Sequence, residues 1–225
     1  MKILTLYGNP KLGGFVHGCL DHVASRLEGQ GAAVDRLHLA QTDVRDCQGC
    51  FTCLRTGACP LKDDAAGIIE RVRQADGLVV GASVRNGYFP ALYKRFYERI
   101  TYLLGFGREL MGKHVVAVGA VGMATGKRHL GRVLTLRQFH AHVVAYLFFR
   151  TGIPTRLRVE SVAPQLDRAA DRLARAIRAG AGLSLGARLS AWLDGLIMRK
   201  CMFEPNRDGT YDYVIRRWRE MGWMD

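Results

Sequence analysis

Four of the six cysteines fall within thirteen positions of the stretch DCQGCFTCLRTGACPLKDD, residues 46–64. Their spacing is C-x2-C-x2-C-x5-C, from Cys47 through Cys50 and Cys53 to Cys59, with Pro60 next. Clustered thiols can bind a metal ion, hold an iron–sulfur cluster or oxidise to disulfides, and all three chemistries fit four of them so close together. The compartment narrows the choice. The N-terminus MKILTLYGNP runs directly into a strand-like apolar stretch, without the long apolar region and small-residue cleavage site of a signal peptide. No apolar run approaches the length that crosses a bilayer. A cytoplasmic location is therefore expected, where thiols stay reduced and a tight cysteine cluster points to metal rather than to disulfides. Cys19 and Cys201 sit in helix-like segments and are expected to be small buried hydrophobes.

A second set of candidate residues lies in loops that follow apolar strands. GNPKLGGFV (8–16) is not a P-loop, because Gly14 and Phe15 follow Gly13 where Lys and Ser or Thr are needed. It is not G-x-G-x-x-G either. A glycine-bearing turn that opens a helix still presents free N–H groups to a phosphate, and Lys11 adds a cation. SVRNGYFPALYKRF (83–96) has a tight turn at Asn86-Gly87 and brings the planar rings of Tyr88 and Phe89 to the edge of the sheet. GAVGMATGK (119–127) is rich in small residues that let backbone approach a flat ligand. Three such loops at one end of a sheet predict a flat, phosphorylated ligand, for which flavin mononucleotide is the natural candidate.

The elements that must carry these loops follow from periodicity. Strands are predicted at 2–7, 32–39, 77–83, 113–121 and 142–149, with helices over roughly 15–29, 126–139 and 164–180. Asp63 and Asp64 offer N-caps to a further helix with Ile68, Ile69 and Val72 on one face. Pro90 suits the first turn of another that aligns Leu92, Phe96, Ile100 and Leu103. Alternating βα units of this size predict a doubly wound, five-stranded parallel sheet. The chain of 225 residues, 48% hydrophobic and 24% charged, is long enough for one large core. Its net charge of +13 comes mostly from Arg scattered at helical spacings, so solvated helix faces are expected and no nucleic-acid partner. His140 and His142 read as structural residues on one strand face. Beyond about residue 184, SLGARLSAWLDGLIMRK places Leu185, Leu189, Leu193 and Leu196 on one helix face, while Tyr213, Trp218 and Trp223 call for burial. A dimer interface is the favoured home for this arm.

The order of GNPK (8–11), the cysteine run ending in KDD (62–64), ADGLVVGAS (75–83) and YKRFYER (93–99) resembles the flavodoxin-like NAD(P)H-dependent FMN reductases. The cysteine spacing resembles their iron–sulfur flavoprotein branch. The resemblance spans residue 1 to about 150. It implies a flavodoxin-like FMN-binding domain over 1–183 with a helical C-terminal arm at 184–225. It also implies FMN contacts from Asn9, Pro10, Lys11, Gly13, Gly14, Phe15 and Val16 in the first loop and from Ser83, Val84, Arg85, Asn86, Gly87 and Tyr88 in the second. Ala120 and Gly122 would approach the ring from the third. Phe15 and Val16 stand where Asn and Ser or Thr are usual, which leaves backbone amides and Lys11 for the phosphate. In the same way Cys47, Cys50, Cys53 and Cys59 are implied ligands of a [4Fe–4S] cluster. Zinc sites usually pair two C-x2-C knuckles across a longer spacer, whereas this run is nearer the ferredoxin C-x2-C-x2-C-x3-C-P, so the cluster is favoured over zinc or bare thiols. The expected protein is an FMN-dependent oxidoreductase with NAD(P)H or a ferredoxin-like protein as electron donor, small-molecule or protein acceptors, no membrane partner and a homodimeric or homotetrameric assembly. The competing readings are a cluster-free NAD(P)H:FMN or quinone reductase and a non-catalytic, metal-stapled binding module.

Overall fold

The computed structural model of the chain describes residues 1–123 and 127–224, the side chains of 127–129 excepted. Five strands, β1 (Lys2–Tyr7), β2 (Ala33–His38), β3 (Gly77–Val84), β4 (His114–Val121) and β5 (His142–Arg150), pair in parallel in the order β2-β1-β3-β4-β5. This is the doubly wound, five-stranded parallel sheet that the alternating pattern predicts, in the flavodoxin-like arrangement that the resemblance implies. β3 and β4 are apolar along almost their whole length because helices cover both of their faces, while the edge strands β2 and β5 are only half covered.

The helices are α1 (Phe15–Glu28), α2 (Thr52–Thr56), α3 (Ala65–Gln74), α4 (Ala91–Ile100), α5 (Lys127–Leu134), α6 (Ala163–Arg178), α7 (Leu185–Met198) and α8 (Asp212–Glu220). α1 and α6 cover one face, packing Leu20, Val23, Leu166 and Leu173 against Ile3, Val79, Val116 and Val118. α3, α4 and α5 cover the other, where Ile68, Val72, Phe96, Ile100 and Leu134 meet Leu4, Leu6, Val80 and Ala117. Alternate residues of each strand thus enter opposite cores, as a period of two requires.

Several expectations change in three dimensions. The helix expected over 126–139 is Lys127–Leu134 followed by a 3-10 turn at Arg137–Phe139, broken by Leu136 in the left-handed region at φ 56°; position 126 lies outside the described residues. His140 is left-handed as well and precedes β5, so it does not share a strand face with His142. It pairs with Asp194 at 2.9 Å, and the His142 ring lies 3.1 Å from the Ala181 carbonyl. Cys19 is buried as expected, but Cys201 is exposed, because the turn that carries it extends α7 along the surface.

The arm divides. α7 packs only a narrow stripe, Ala191 and Gly195, and leaves Leu185, Leu189, Trp192, Leu193 and Ile197 exposed, Leu185 by 83%. α8 instead buries Trp218 completely in its own chain, with Leu54, Phe203 and Val214 around it. The Trp218 indole N–H donates to the Phe106 carbonyl at 2.8 Å, and the Arg108 guanidinium lies 4.2 Å from that ring and 4.3 Å from Trp223. Among the described residues no helix is long and apolar enough to cross a membrane.

Three histidines couple this packing to pH. Burial, then repulsion from neighbouring His17 or His142, holds His38 and His114 below the ordinary value of 6.5, and burial does the same for His140 against the pull of Asp194. The folded state therefore favours neutral rings. Its stability is complete above about pH 6.5 and is lost below it, as the unfolded chain takes up protons that the folded chain resists. The urea midpoint is expected to fall between pH 7.5 and pH 5.5, and His114→Gln should flatten that dependence; a midpoint that holds or rises on acidification would contradict it.

Candidate functional site

In this strand order the chain leaves β1 to form β2 on one side and returns to form β3 on the other. Such a switch point opens a crevice at the carboxyl ends of the strands. The loops after β1 and β3 meet there. Gly8 donates its N–H to the Gly81 carbonyl at 2.7 Å, and a Cβ on Gly8 would stand 2.6 Å from the Tyr93 ring, so no other residue fits. The Asn9 side-chain oxygen accepts both the Ser83 N–H, at 2.9 Å, and the Ser83 hydroxyl, at 2.8 Å. Asn9 and Ser83 thus bind the two loops to each other, so this oxygen is already engaged within the protein.

Beyond Asn9, Pro10 and Lys11 are exposed, and the space where Gly13 and Gly14 would carry a Cβ is open. Gly14 is the N-cap of α1, with no side chain capping it and no acidic residue in the first turn. The first-turn N–H groups, beginning with Phe15 and Val16, have no intrahelical acceptor and the helix dipole favours an anion there, so this end of α1 suits the phosphate of FMN. In the second loop Arg85 and Tyr88 exchange hydrogen bonds of 2.7 and 3.1 Å around Asn86 and Gly87, both with positive φ. Arg85, Asn86 and Gly87 are exposed, Tyr88 is half-buried, and Val84 is buried in the core, which leaves Val84 only its backbone to offer a ligand. In the third loop Ala120 pairs in register with Ser83 and is buried, and a Cβ on Gly122 would meet Ile153 at 2.4 Å. The following residues 124–126, part of the small-residue loop expected at 119–127, lie outside the described residues.

The cysteine loop leaves β2, the neighbour of β1, and its two ends are tied together by the aspartates expected as helix caps. Asp64 accepts the Asp43 N–H at 2.7 Å through its carboxylate and returns its own N–H to the Asp43 carbonyl at 2.9 Å. Asp63 accepts the N–H groups of Arg45 at 2.9 Å and Ala65 at 3.1 Å. Asp64 stands at the expected N-cap of α3, but its carboxylate is used to close the loop, and it is Asp63 that accepts the N–H of Ala65, the first helical residue. Asp63 is also the partner of Arg99, on α4, through bonds of 2.5 and 2.9 Å; their side chains are 0% and 1% exposed. The same guanidinium donates to the Arg45 carbonyl at 2.9 Å and to the Cys59 sulfur at 3.3 Å. Burial opposes the Asp63 charge, yet the Arg99 guanidinium and the two N–H donors hold its carboxyl below the ordinary range.

Cys47, Cys50, Cys53 and Cys59 line one cavity together with Phe51, Leu61, Arg99 and Tyr102. All six cysteines of the chain are free thiols. Burial, and then the proximity of Cys59, Cys47 and Cys50, pushes the Cys53 thiol up to about 11, whereas hydrogen bonds with Thr52 draw Cys50 down. Among the described residues no three His, Cys, Asp or Glu side chains stand together as ligands of a single ion. α8 forms the far wall of the loop. A Cβ on Gly57 would stand 2.4 Å from the Tyr213 ring, and Leu54 of α2 lies in the small core around Trp218. The sequence reading assigned no role here to Arg99 or Tyr102, and it expected burial of Tyr213 without placing it against the cysteine loop. Arg99 had a signal: it follows Phe96 by three positions, so a charge falls on the buried face of α4 and needs a partner there.

Comparisons with known proteins agree with this geometry. The sequence profile of the NADPH-dependent FMN reductase family matches residues 1–151. The chain is 30% identical over 143 residues to an iron–sulfur flavoprotein of Methanosarcina thermophila, covering 62% of this chain and 71% of that one. It is 28% identical over 141 residues to an iron–sulfur flavoprotein of Methanocaldococcus jannaschii, covering 62% and 70%. The fold is shared with the two-electron reduced flavodoxin of Megasphaera elsdenii, at a TM-score of 0.51, 12% identity and coverage of 77% and 98%. It is also shared with an NADH:FMN oxidoreductase in its apo form, at a TM-score of 0.53, 19% identity and coverage of 76% and 87%. The chain belongs to the NADPH-dependent FMN reductase family, in its iron–sulfur flavoprotein branch, and is an FMN-dependent oxidoreductase.

Proposed function

We propose that this flavoprotein passes electrons between NAD(P)H or a ferredoxin-like donor, FMN at the β1–β3 switch point and a [4Fe–4S] cluster on Cys47, Cys50, Cys53 and Cys59. The observation that carries the reading is that all four free thiols line a single cavity, on the loop next to the flavin crevice. A single ion draws all its donors onto one atom, whereas a cubane takes one thiolate at each of four irons. Four thiols around one cavity supply the donor number that a cubane needs, and their C-x2-C-x2-C-x5-C spacing is nearer a ferredoxin run than a pair of zinc knuckles. FMN supplies hydride acceptance and one-electron release, and the cluster supplies one-electron storage. The chain orients and tunes these groups. Lys11 and the first-turn amides of α1 would hold the phosphate, while Arg85, Asn86 and the backbone of Ser83–Tyr88 and Ala120–Gly122 would flank the ring. A positive Arg85 near the ring would stabilise charge that develops on reduction. A cytoplasmic setting would keep these thiols reduced and available as ligands.

Lys11→Ala should weaken FMN roughly tenfold to a hundredfold, the effect of about 1.5–3 kcal/mol for a hydrogen bond to a charged group, and leave riboflavin nearly unchanged. Fluorescence titration with both flavins tests this, and equal weakening would show that Lys11 does not face the phosphate.

Anaerobically purified protein should contain iron and acid-labile sulfide. Cys47→Ala, Cys50→Ala, Cys53→Ala and Cys59→Ala should each lose iron and keep FMN, while Cys19→Ala and Cys201→Ala keep both. Wild-type protein with flavin but without iron and sulfide would leave the cluster-free reductase in place of this reading.

The exposed face of α7 is assigned to a second copy of the chain, since six large apolar side chains from Leu185 to Ile197 lie uncovered. Because α8 belongs to the chain's own core, the informative change is on α7 alone. The Leu189→Glu, Leu193→Glu double variant should keep its flavin and fall to the monomer mass by light scattering. An unchanged mass would place the interface elsewhere.

A further inference from the structure

Arg99 has a peculiar position. It lies on the core-facing side of α4, its side chain is 1% exposed, and its carboxylate partner Asp63 is equally buried. One edge of the guanidinium is saturated by Asp63 and the Arg45 carbonyl, and Nη2 also reaches the Cys59 sulfur at 3.3 Å. The ion pair therefore presents the positive end of a buried dipole to one thiol of the four. A pair needed only to staple the loop would be complete with Asp63 and Arg45. The contact with sulfur is additional, and the dry surroundings make it electrostatically strong.

We infer that Arg99 is a positioning residue that both orients Cys59 as a cluster ligand and raises the reduction potential of the cluster. This inference rests on the cluster reading above. Reduction adds one negative charge to the cluster and its four thiolates, and hydrogen bonds to ligand sulfur and nearby net charge set the potential of such centres. A fixed cation on Cys59 stabilises the reduced form more than the oxidised form. Asp63 acts in the opposite sense, from further away, by partly cancelling that cation. The two residues should thus move the potential in opposite directions, which a purely structural role does not predict.

The test compares wild-type protein with D63N and with the R99M/D63N double variant, which differs from D63N only at Arg99. Iron and acid-labile sulfide are measured first. The cluster midpoint potential is then read by electron paramagnetic resonance during titration with dithionite. D63N should lie above wild type. R99M/D63N should lie below D63N by at least a tenfold change in the reduction equilibrium, about 59 mV for one electron. R99Q/D63N replaces the Met variant if that protein does not load iron, with the same expected direction. Loaded proteins in which D63N and the double variant share one potential would overturn the role of Arg99 and leave the cluster reading standing. Wild-type protein that carries neither iron nor sulfide would overturn both.

Discussion

The ion pair between Arg99 and Asp63 is the contact on which the architecture around the cysteines depends. Two charges removed from water cost several kcal/mol each, and only close mutual geometry offsets that cost. Here the geometry is bidentate, and Asp63 accepts two backbone N–H groups besides. Removal of either partner would leave a naked buried charge and cost about 3–5 kcal/mol. The pair consequently behaves as one unit. It fixes where the cysteine loop begins, at Arg45, and where it ends, at Asp63, against a helix of the main core.

That helix, α4, also borders the crevice at the β1–β3 switch point. Its first residues follow the Arg85–Tyr88 turn, Tyr93 lies beneath Gly8, and Arg99 reaches Cys59. Arg99 lies nine positions beyond Pro90, the N-cap of α4, a rise of roughly 13 Å along the helix. One rigid rod thus spans from the loop after β3 to the cysteine loop. The two loops sit at neighbouring strand ends because β2 pairs with β1, and α4 sets the spacing that strand pairing leaves open. Asn9 and Ser83 complete the frame by joining the β1 and β3 loops.

The C-terminal arm has two different relations to this frame. α8 is part of the cysteine site: Tyr213 covers Gly57, and Trp218 encloses Leu54 between the loop and Phe106. A five-residue helix such as α2 is too short to persist by itself, so its form depends on this packing. α7 contributes little to the core of its own chain and presents an apolar face outward. A linear pattern of leucines looks the same in both situations. Whether the face meets the chain's own sheet or remains open depends on where the preceding turns direct the helix.

Local physics made much of this protein legible in the sequence. The strands announced themselves as apolar runs of β-branched residues, and the helices by a 3.6-residue period, so the layers and the parallel sheet followed. The C-x2-C-x2-C-x5-C spacing identified a chemical site, because thiols that close in sequence cannot lie far apart in space. Asn86-Gly87 read as a tight turn since few residue pairs tolerate positive φ at both positions. The rest was decided by contacts between residues far apart in the chain. Arg99 and Asp63 are 36 positions apart, and Asn9 and Ser83 are 74 apart. No periodicity encodes such pairs; each exists only because the sheet order brings α4 to the cysteine loop and β1 beside β3. The same holds for the burial of Trp218, the exposure of Cys201 and the open face of α7, since burial belongs to the assembled layers and not to any segment alone.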